Sequence, residues 1–175
     1  MGELYLIEPD STMADKIASY RQEFLEVGSS MDGCGSLRVL ENPMDWLAQS
    51  KAHLNKETLP ANLVQATQLV YIRKADNALV GMLQIRHYFN DYLERYGGHI
   101  GYSIRPGERR KGYARAMLHD SLPICKGIGL NKLLITCDRD NEGSRRTILS
   151  NGGVYESTVL EPSSKEYLER YWINL

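Results

Sequence analysis

The spacing of apolar residues in the first part of the chain predicts a short strand followed by a helix. Leu4 to Ile7 is a short apolar run of the kind found in strands. Beyond Ser11 and Thr12, either of which can cap a helix, apolar residues recur every three or four positions to about Val27. This stripe consists of Met13, Ile17, Tyr20, Phe24 and Val27.

A second helix is predicted from Pro43 to Leu54, after a loop of turn-forming residues at positions 28–35. Proline is favoured at the first position of a helix because the amide hydrogen that it lacks would have no partner there. The apolar residues that fit the inner face of this helix are Met44, Leu47 and Leu54.

The middle of the chain has the pattern of strands. Two apolar-rich runs, 68–73 and 79–87, flank Ala75-Asp76-Asn77, which suits a hairpin turn. A longer connection from Phe89 to Tyr96 then leads to a strand that begins at Gly98 and ends near Arg105.

The last third of the chain alternates helices with strands. Apolar spacing predicts a helix from Ala114 to near Gly127, although Pro123 lacks an amide hydrogen and should kink this helix or end it early. The order of elements predicts one α/β (mixed α+β) domain over residues 1–175, with helices on both faces of a mixed sheet. The remaining predicted elements are a buried strand at 132–137, a short helix at 143–150 and strands at 154–160 and 167–175.

Composition excludes several classes of function. A formal net charge of −1 argues against a protein built mainly to bind nucleic acid. The three cysteines show no C-x-x-C spacing, so we expect neither a disulfide framework nor a zinc site. No apolar segment is long enough to span a membrane and no signal-peptide pattern is present, which favours a cytoplasmic protein.

The most informative segment is the basic turn Arg109-Arg110-Lys111-Gly112-Tyr113-Ala114, which joins a predicted strand to a predicted helix. Glycine and alanine let a ligand approach the backbone closely, and the amides at a helix start attract anions. The turn therefore predicts a pyrophosphate site, with a solvated basic loop as the alternative. A P-loop is excluded because no G-K-[ST] follows, and a Rossmann fingerprint because the turn has one glycine.

This turn resembles the R/Q-x-x-G-x-G/A signature of the GCN5-related N-acetyltransferases (GNAT). The stretch from His99 to Pro106 is similar to the central strand that precedes the signature in that family. Ile135 to Asp138, followed by Asn141 and Ser144, resembles the strand, asparagine and helix of its second cofactor contact. The resemblance covers residues from about 68 to 155, which we identify as the expected cofactor-binding core.

The resemblance implies the GNAT fold, whose mostly antiparallel mixed sheet has a splayed strand pair that holds acetyl-CoA. It also implies acetyl-CoA as co-substrate and direct attack by an amine, with positioning as a main source of acceleration. Asn141 has helix capping as its alternative role. The residues expected at the cofactor are Tyr102, Ser103, Ile104, Arg109, Arg110, Lys111, Gly112, Tyr113, Ala114, Arg115, Asn141 and Ser144.

Acid–base chemistry is where the chain departs from the family pattern. Many relatives place a proton-donating tyrosine one turn beyond the asparagine, where this chain has Ile148. Tyr155 is the substitute that we consider, with a core position as its alternative. His99 lies near the site of the usual carboxylate and is the candidate base, with a structural histidine or water as alternatives.

We expect the acceptor site to be shaped by the first two helices and by Phe89 to Tyr96, with His87 and Asn90 as candidate substrate-binding residues. The implied substrate is a primary amine of a small molecule or peptide. A homodimer is possible on the sequence alone. Because Ile148 replaces the tyrosine, a non-catalytic acyl-CoA sensor or interaction module is the alternative. We expect no metal, nucleic acid or membrane partner.

Overall fold

The computed structural model describes residues 3–175, which contain seven strands and four α-helices. Short helical turns lie at Ser11–Met13, Lys56–Thr58, Leu93–Gly97 and Pro106–Glu108. The main elements are β1 (Leu4–Ile7), α1 (Ala14–Glu26), α2 (Pro43–Ala52), β2 (Ala66–Arg73), β3 (Ala78–Arg86), β4 (Ile100–Ile104), α3 (Tyr113–Gly127), β5 (Lys132–Asp138), α4 (Glu142–Leu149), β6 (Val154–Leu160) and β7 (Tyr167–Asn174).

The described strands form two antiparallel sheets that meet at β4 and β5. One sheet has the order β1-β2-β3-β4 and the other the order β5-β7-β6. At the junction, the amide of His99 donates to the carbonyl of Leu134 over 2.8 Å, and the amide of Leu134 donates to Nδ1 of His99 over 2.9 Å. No ladder joins β4 to β5, so the predicted splayed strand pair is confirmed.

Helices cover both faces of the four-stranded sheet, as the sequence predicted. The helix α3 packs on one face, and α1 and α2 pack on the other, while α4 packs against α3 and β5. Because β2 is buried on both faces, its central residues from Leu69 to Ile72 are all apolar rather than alternating with polar ones. The largest side chains in the core beneath α1 and α2 are Trp46, Tyr20 and Phe24.

Details of the first two helices differ from the prediction. The side chain of Asp10, not of Ser11 or Thr12, caps the first turn, because its Oδ1 accepts the amide of Thr12 over 2.8 Å. Val27 lies beyond the end of α1 and is 56% exposed. On α2 the buried residues are Trp46 and Leu47, whereas Met44 is exposed.

Pro123 does not end α3 early, since the helix continues to Gly127. Proline removes the bond to the carbonyl four residues before it, which here belongs to His119. Both residues lie on the exposed face of α3, where water can satisfy that carbonyl. No helix within residues 3–175 combines the length and the apolar character needed to cross a membrane.

The loop between α1 and α2 is fastened to the sheet beside β4. Nε2 of Gln68 donates to the carbonyl of Gly33 over 2.8 Å, and Nε1 of Trp46 donates to the carbonyl of Cys34 over 2.7 Å. Gly33 has a φ of +73°, and a Cβ atom there would lie 2.2 Å from the carbonyl oxygen of Gly101. Only glycine allows this approach, which fixes the neighbouring Asp32 near the start of β4.

Candidate functional site

A cleft of about 940 Å³ opens between β4 and β5. We call the part after the end of β4 its basic half, formed by Arg109, Arg110 and the residues from Gly112 to Arg115. The part beside the start of β4 is its mixed-charge half, formed by Asp32, Arg86, Tyr92, Tyr96 and Asp138. The cleft therefore offers two chemically different regions at opposite ends of one strand.

The basic half is built around the exposed amides at the start of α3. Arg110 and Gly112 have φ values of 61° and 83°, so the turn reverses sharply before the helix. Gly112 occupies the capping position of α3 and provides no capping side chain, and the first turn has no acidic residue. The free amides at the positive end of this helix fit an anion, as the sequence predicted.

Arginines rather than Lys111 supply the side-chain charge of the basic half. Arg109 is held in place because its Nη2 donates to Oγ of Ser29 over 2.8 Å. Arg110 and Arg115 line the cleft and form no ion pair within residues 3–175. Lys111 does not line the cleft, and its Nζ pairs with Glu108 over 2.8 Å.

Three predicted cofactor residues meet where α4 approaches β4. Oδ1 of Asn141 accepts the amide of Ser144 over 3.0 Å, so Asn141 caps α4 while it also lines the cleft. Oγ of Ser144 lies 2.7 Å from the hydroxyl of Tyr102. Burial raises the pKa of Tyr102 to about 12, which keeps this hydroxyl protonated near neutral pH.

The environment of His99 in the structure does not suit a general base. Its Nδ1 accepts the amide of Leu134, and its ring lies 4.0 Å from that of Phe89 between centroids. Burial, and then the charge of Arg86, lowers the pKa of His99 to about 4. The ring is therefore a weak base that already uses one nitrogen to join β4 to β5, which matches the structural alternative.

Tyr155 also lies away from the cleft. It is 53% exposed on β6, and its hydroxyl bonds to Oγ1 of Thr158 over 2.8 Å. Ile148 is fully buried in the core beneath α4. Neither position of the predicted proton donor therefore offers a hydroxyl to the cleft. Tyr102 lines the cleft, and its hydroxyl contacts Ser144, which also lines it.

The predicted substrate residues His87 and Asn90 have local roles outside the cleft lining. Nε2 of His87 bonds to Oγ1 of Thr67 over 2.8 Å. Asn90 accepts the amide of Leu93 over 2.9 Å and donates to the carbonyl of Asn62 over 3.1 Å. Both side chains therefore order the connection between β3 and β4.

The mixed-charge half contains residues that the sequence interpretation did not single out. Tyr92 and Tyr96 come from the connection that was expected to shape the acceptor site. Asp32, Arg86 and Asp138 are brought together by the docked loop and by two strands that are distant in sequence. Burial, and then neighbouring carboxylates including Asp32, raises the pKa of Asp138.

Comparison with known proteins identifies similar chains. A family model described as an acetyltransferase (GNAT) domain matches residues 36–154, more than half of the chain. No curated protein sequence matches. Among solved structures, the ribosomal-protein-S5-alanine acetyltransferase from Vibrio fischeri has a TM-score of 0.75 at 17% identity, covering 99% of this chain and 94% of that one.

Two further structures share the fold at low identity. The microcin C7 self-immunity acetyltransferase, solved with acetyl-CoA and AMP, has a TM-score of 0.71 at 18% identity, covering 99% of this chain and 93% of that one. The spermidine N-acetyltransferase from Vibrio cholerae has a TM-score of 0.67 at 16% identity, covering 98% of this chain and 93% of that one.

We predict that His99→Gln reduces the pH dependence of the unfolding free energy. The pKa of His99 is about 4 in the folded protein against an ordinary 6.5, so its neutral ring stabilises the fold above pH 6.5. This stabilisation, on the order of 3 kcal/mol, is lost as the pH falls from 6.5 to 4.

Urea unfolding between pH 4 and 7 measures this loss. His119→Gln is the control, because His119 is exposed on α3. Equal pH slopes in the wild type and in His99→Gln would contradict the buried, neutral state of His99.

Proposed function

The chain belongs to the GNAT family of acetyltransferases, and we propose that its basic half binds the pyrophosphate of acetyl-CoA while its mixed-charge half binds the acceptor amine. The activity is acetyl-CoA-dependent N-acetyl transfer. The observation that carries our assignment of residues is the uncapped start of α3, which opens on the cleft between two diverging strands.

The cofactor side of this proposal rests on two sets of unused polar groups. The amides of Tyr113, Ala114 and Arg115 have no intrahelical partner and are candidates for the phosphate oxygens. The edge of β4 that faces β5 has no ladder partner, so its backbone can pair with the amide groups of a pantetheine arm. We assign this pairing to the backbone of Tyr102 to Ile104.

The transfer itself needs an amine and a proton for the departing sulfur. The amine nitrogen forms a bond to the acetyl carbon while the bond from carbon to sulfur breaks. We assign protonation of the leaving thiolate to the hydroxyl of Tyr102, which a contact with Ser144 holds in the cleft. The carboxylate of Asp32 binds the ammonium, and water takes the first proton that the nitrogen loses. The second proton, which the nitrogen loses as the amide forms, restores the hydroxyl of Tyr102.

The wild-type protein tests this function by the release of free thiol from acetyl-CoA with a panel of primary amines. We expect amine-dependent release and an acetylated product in equal amounts. Tight acetyl-CoA binding without thiol release for any amine would instead support the sensor alternative. Failure to bind acetyl-CoA would overturn both the transferase function and the sensor alternative.

We predict that Gly112→Glu abolishes acetyl-CoA binding. A side chain at this position fills the approach to the helix start, and its carboxylate repels the phosphates. Isothermal titration calorimetry measures the affinity. Gly129→Glu is the control, because Gly129 also has a positive φ, of 101°, but lies in open space beyond the other end of α3. Unchanged affinity in a folded Gly112→Glu protein would contradict the phosphate site.

We predict that Tyr102→Phe lowers kcat about a hundredfold and leaves the Kd of acetyl-CoA nearly unchanged. The substitution removes the proposed proton donor and keeps the ring in place. Tyr155→Phe is the matched control, since that hydroxyl lies outside the cleft. Normal turnover of Tyr102→Phe would assign the proton to water instead.

A further inference from the structure

The mixed-charge half contains one acidic and one basic side chain, Asp32 and Arg86, that are not paired with each other or with another charged residue within residues 3–175. Asp32 and Arg86 both line the cleft, and neither forms an ion pair within residues 3–175. Asp32 precedes Gly33, which lies against Gly101, and Nη2 of Arg86 lies beside the same two glycines, so both charges border one part of the cleft. A ligand between them meets a cation and an anion together.

Arg86 is fixed in a way that leaves part of its guanidinium free. Its Nη1 donates to the carbonyl oxygens of Gly97 and Gly98 over 3.0 and 3.2 Å. Its Nη2 lies 3.2 Å from the place that a Cβ atom on Gly101 would occupy, and Gly101 has none. The guanidinium is thus oriented by two carbonyls. Its Nη2 lies beside the backbone of Gly33 and Gly101 and forms no hydrogen bond within residues 3–175.

An anionic ligand would offset the cost of burying the charge of Arg86. Burial lowers the pKa of its guanidinium, which reflects the cost of holding a charge away from water. The two carbonyls satisfy hydrogen bonds but carry no full negative charge. A carboxylate matches the planar guanidinium in both charge and geometry, which a second amine or an apolar group does not.

We propose that the acceptor is an amino acid, whose carboxylate binds Arg86 and whose ammonium binds Asp32. This inference rests on the proposed function and narrows its acceptor to one class. The reaction converts an amino acid and acetyl-CoA into an N-acetylamino acid and free CoA, and the proton of the ammonium passes to water. A diamine is disfavoured because its second cation would meet Arg86.

The experiment compares free L-amino acids with their α-amides and with the corresponding decarboxylated amines. The acid and the amide share the amine and the side chain and differ in the charge that Arg86 would recognise. In the wild type we expect kcat/KM to be at least about tenfold higher for the best acid than for its amide, as a charge-assisted pair predicts. Diamines should be poorer still.

Variants of Arg86 and Asp32 test whether these residues recognise the substrate or only support the fold. Arg86→Met should bring the ratio of acid to amide close to one, and Arg86→Lys should restore part of it, because lysine keeps the charge. Asp32→Asn should lower kcat/KM for acid and amide alike, since both carry the ammonium. Arg95→Met is the control, because Arg95 lies in the connection that follows β3 but does not line the cleft, and its ratio should match the wild type.

Each outcome decides between the inference and its alternatives. Turnover in which the wild type treats acid and amide equally, or prefers diamines, overturns the amino-acid acceptor and leaves the transferase function intact. An unchanged ratio in Arg86→Met assigns Arg86 to holding Gly97 and Gly98 alone. If that variant does not fold, the wild-type ratio decides. Absence of both acetyl-CoA binding and thiol release overturns the proposed function itself.

Discussion

The divergence of β4 from β5 is the constraint on which the rest of this structure depends. His99 and Leu134 join the two strands at one end through two hydrogen bonds, one of which uses the imidazole ring. Beyond this junction the strands separate, so the edge of β4 keeps unpaired backbone groups that would be costly to bury without a partner. A ligand that lies along this edge satisfies these groups in the way that an additional strand of the sheet would.

The two ends of β4 then determine which charges the ligand meets. After the strand, the turn at Gly112 starts α3 and presents amides and arginines. Before it, Arg86 holds the carbonyls of Gly97 and Gly98, while the close approach of Gly33 to Gly101 brings Asp32 alongside. A net charge near zero for the whole chain therefore coexists with strong local separation of charge inside the cleft.

Features encoded over a few neighbouring residues were predictable from the sequence, whereas those that need distant contacts were not. The strands, the hairpin and the turn before α3 follow from local spacing and from a short motif. The environment of His99 depends on Phe89 and Trp172, and its sequence neighbours gave no sign that its ring would bond to a backbone amide on another strand. Asp32 likewise reaches the cleft only because its loop folds back on β4.

The replacement of the family's tyrosine by Ile148 has a consistent physical explanation in this chain. Ile148 is fully buried in the apolar core beneath α4, and Tyr102 brings its hydroxyl to Ser144 of the same helix from β4. The strand that we expect to pair with the pantetheine arm thus also carries the proposed proton donor, so both are positioned by one backbone segment. The matched family segment, 36–154, includes this strand but not Asp32. Arg86, Tyr92, Tyr96 and Asp138 lie within that segment as well. Asp32 is therefore the one residue of the mixed-charge half that the docked loop brings in from outside the matched segment.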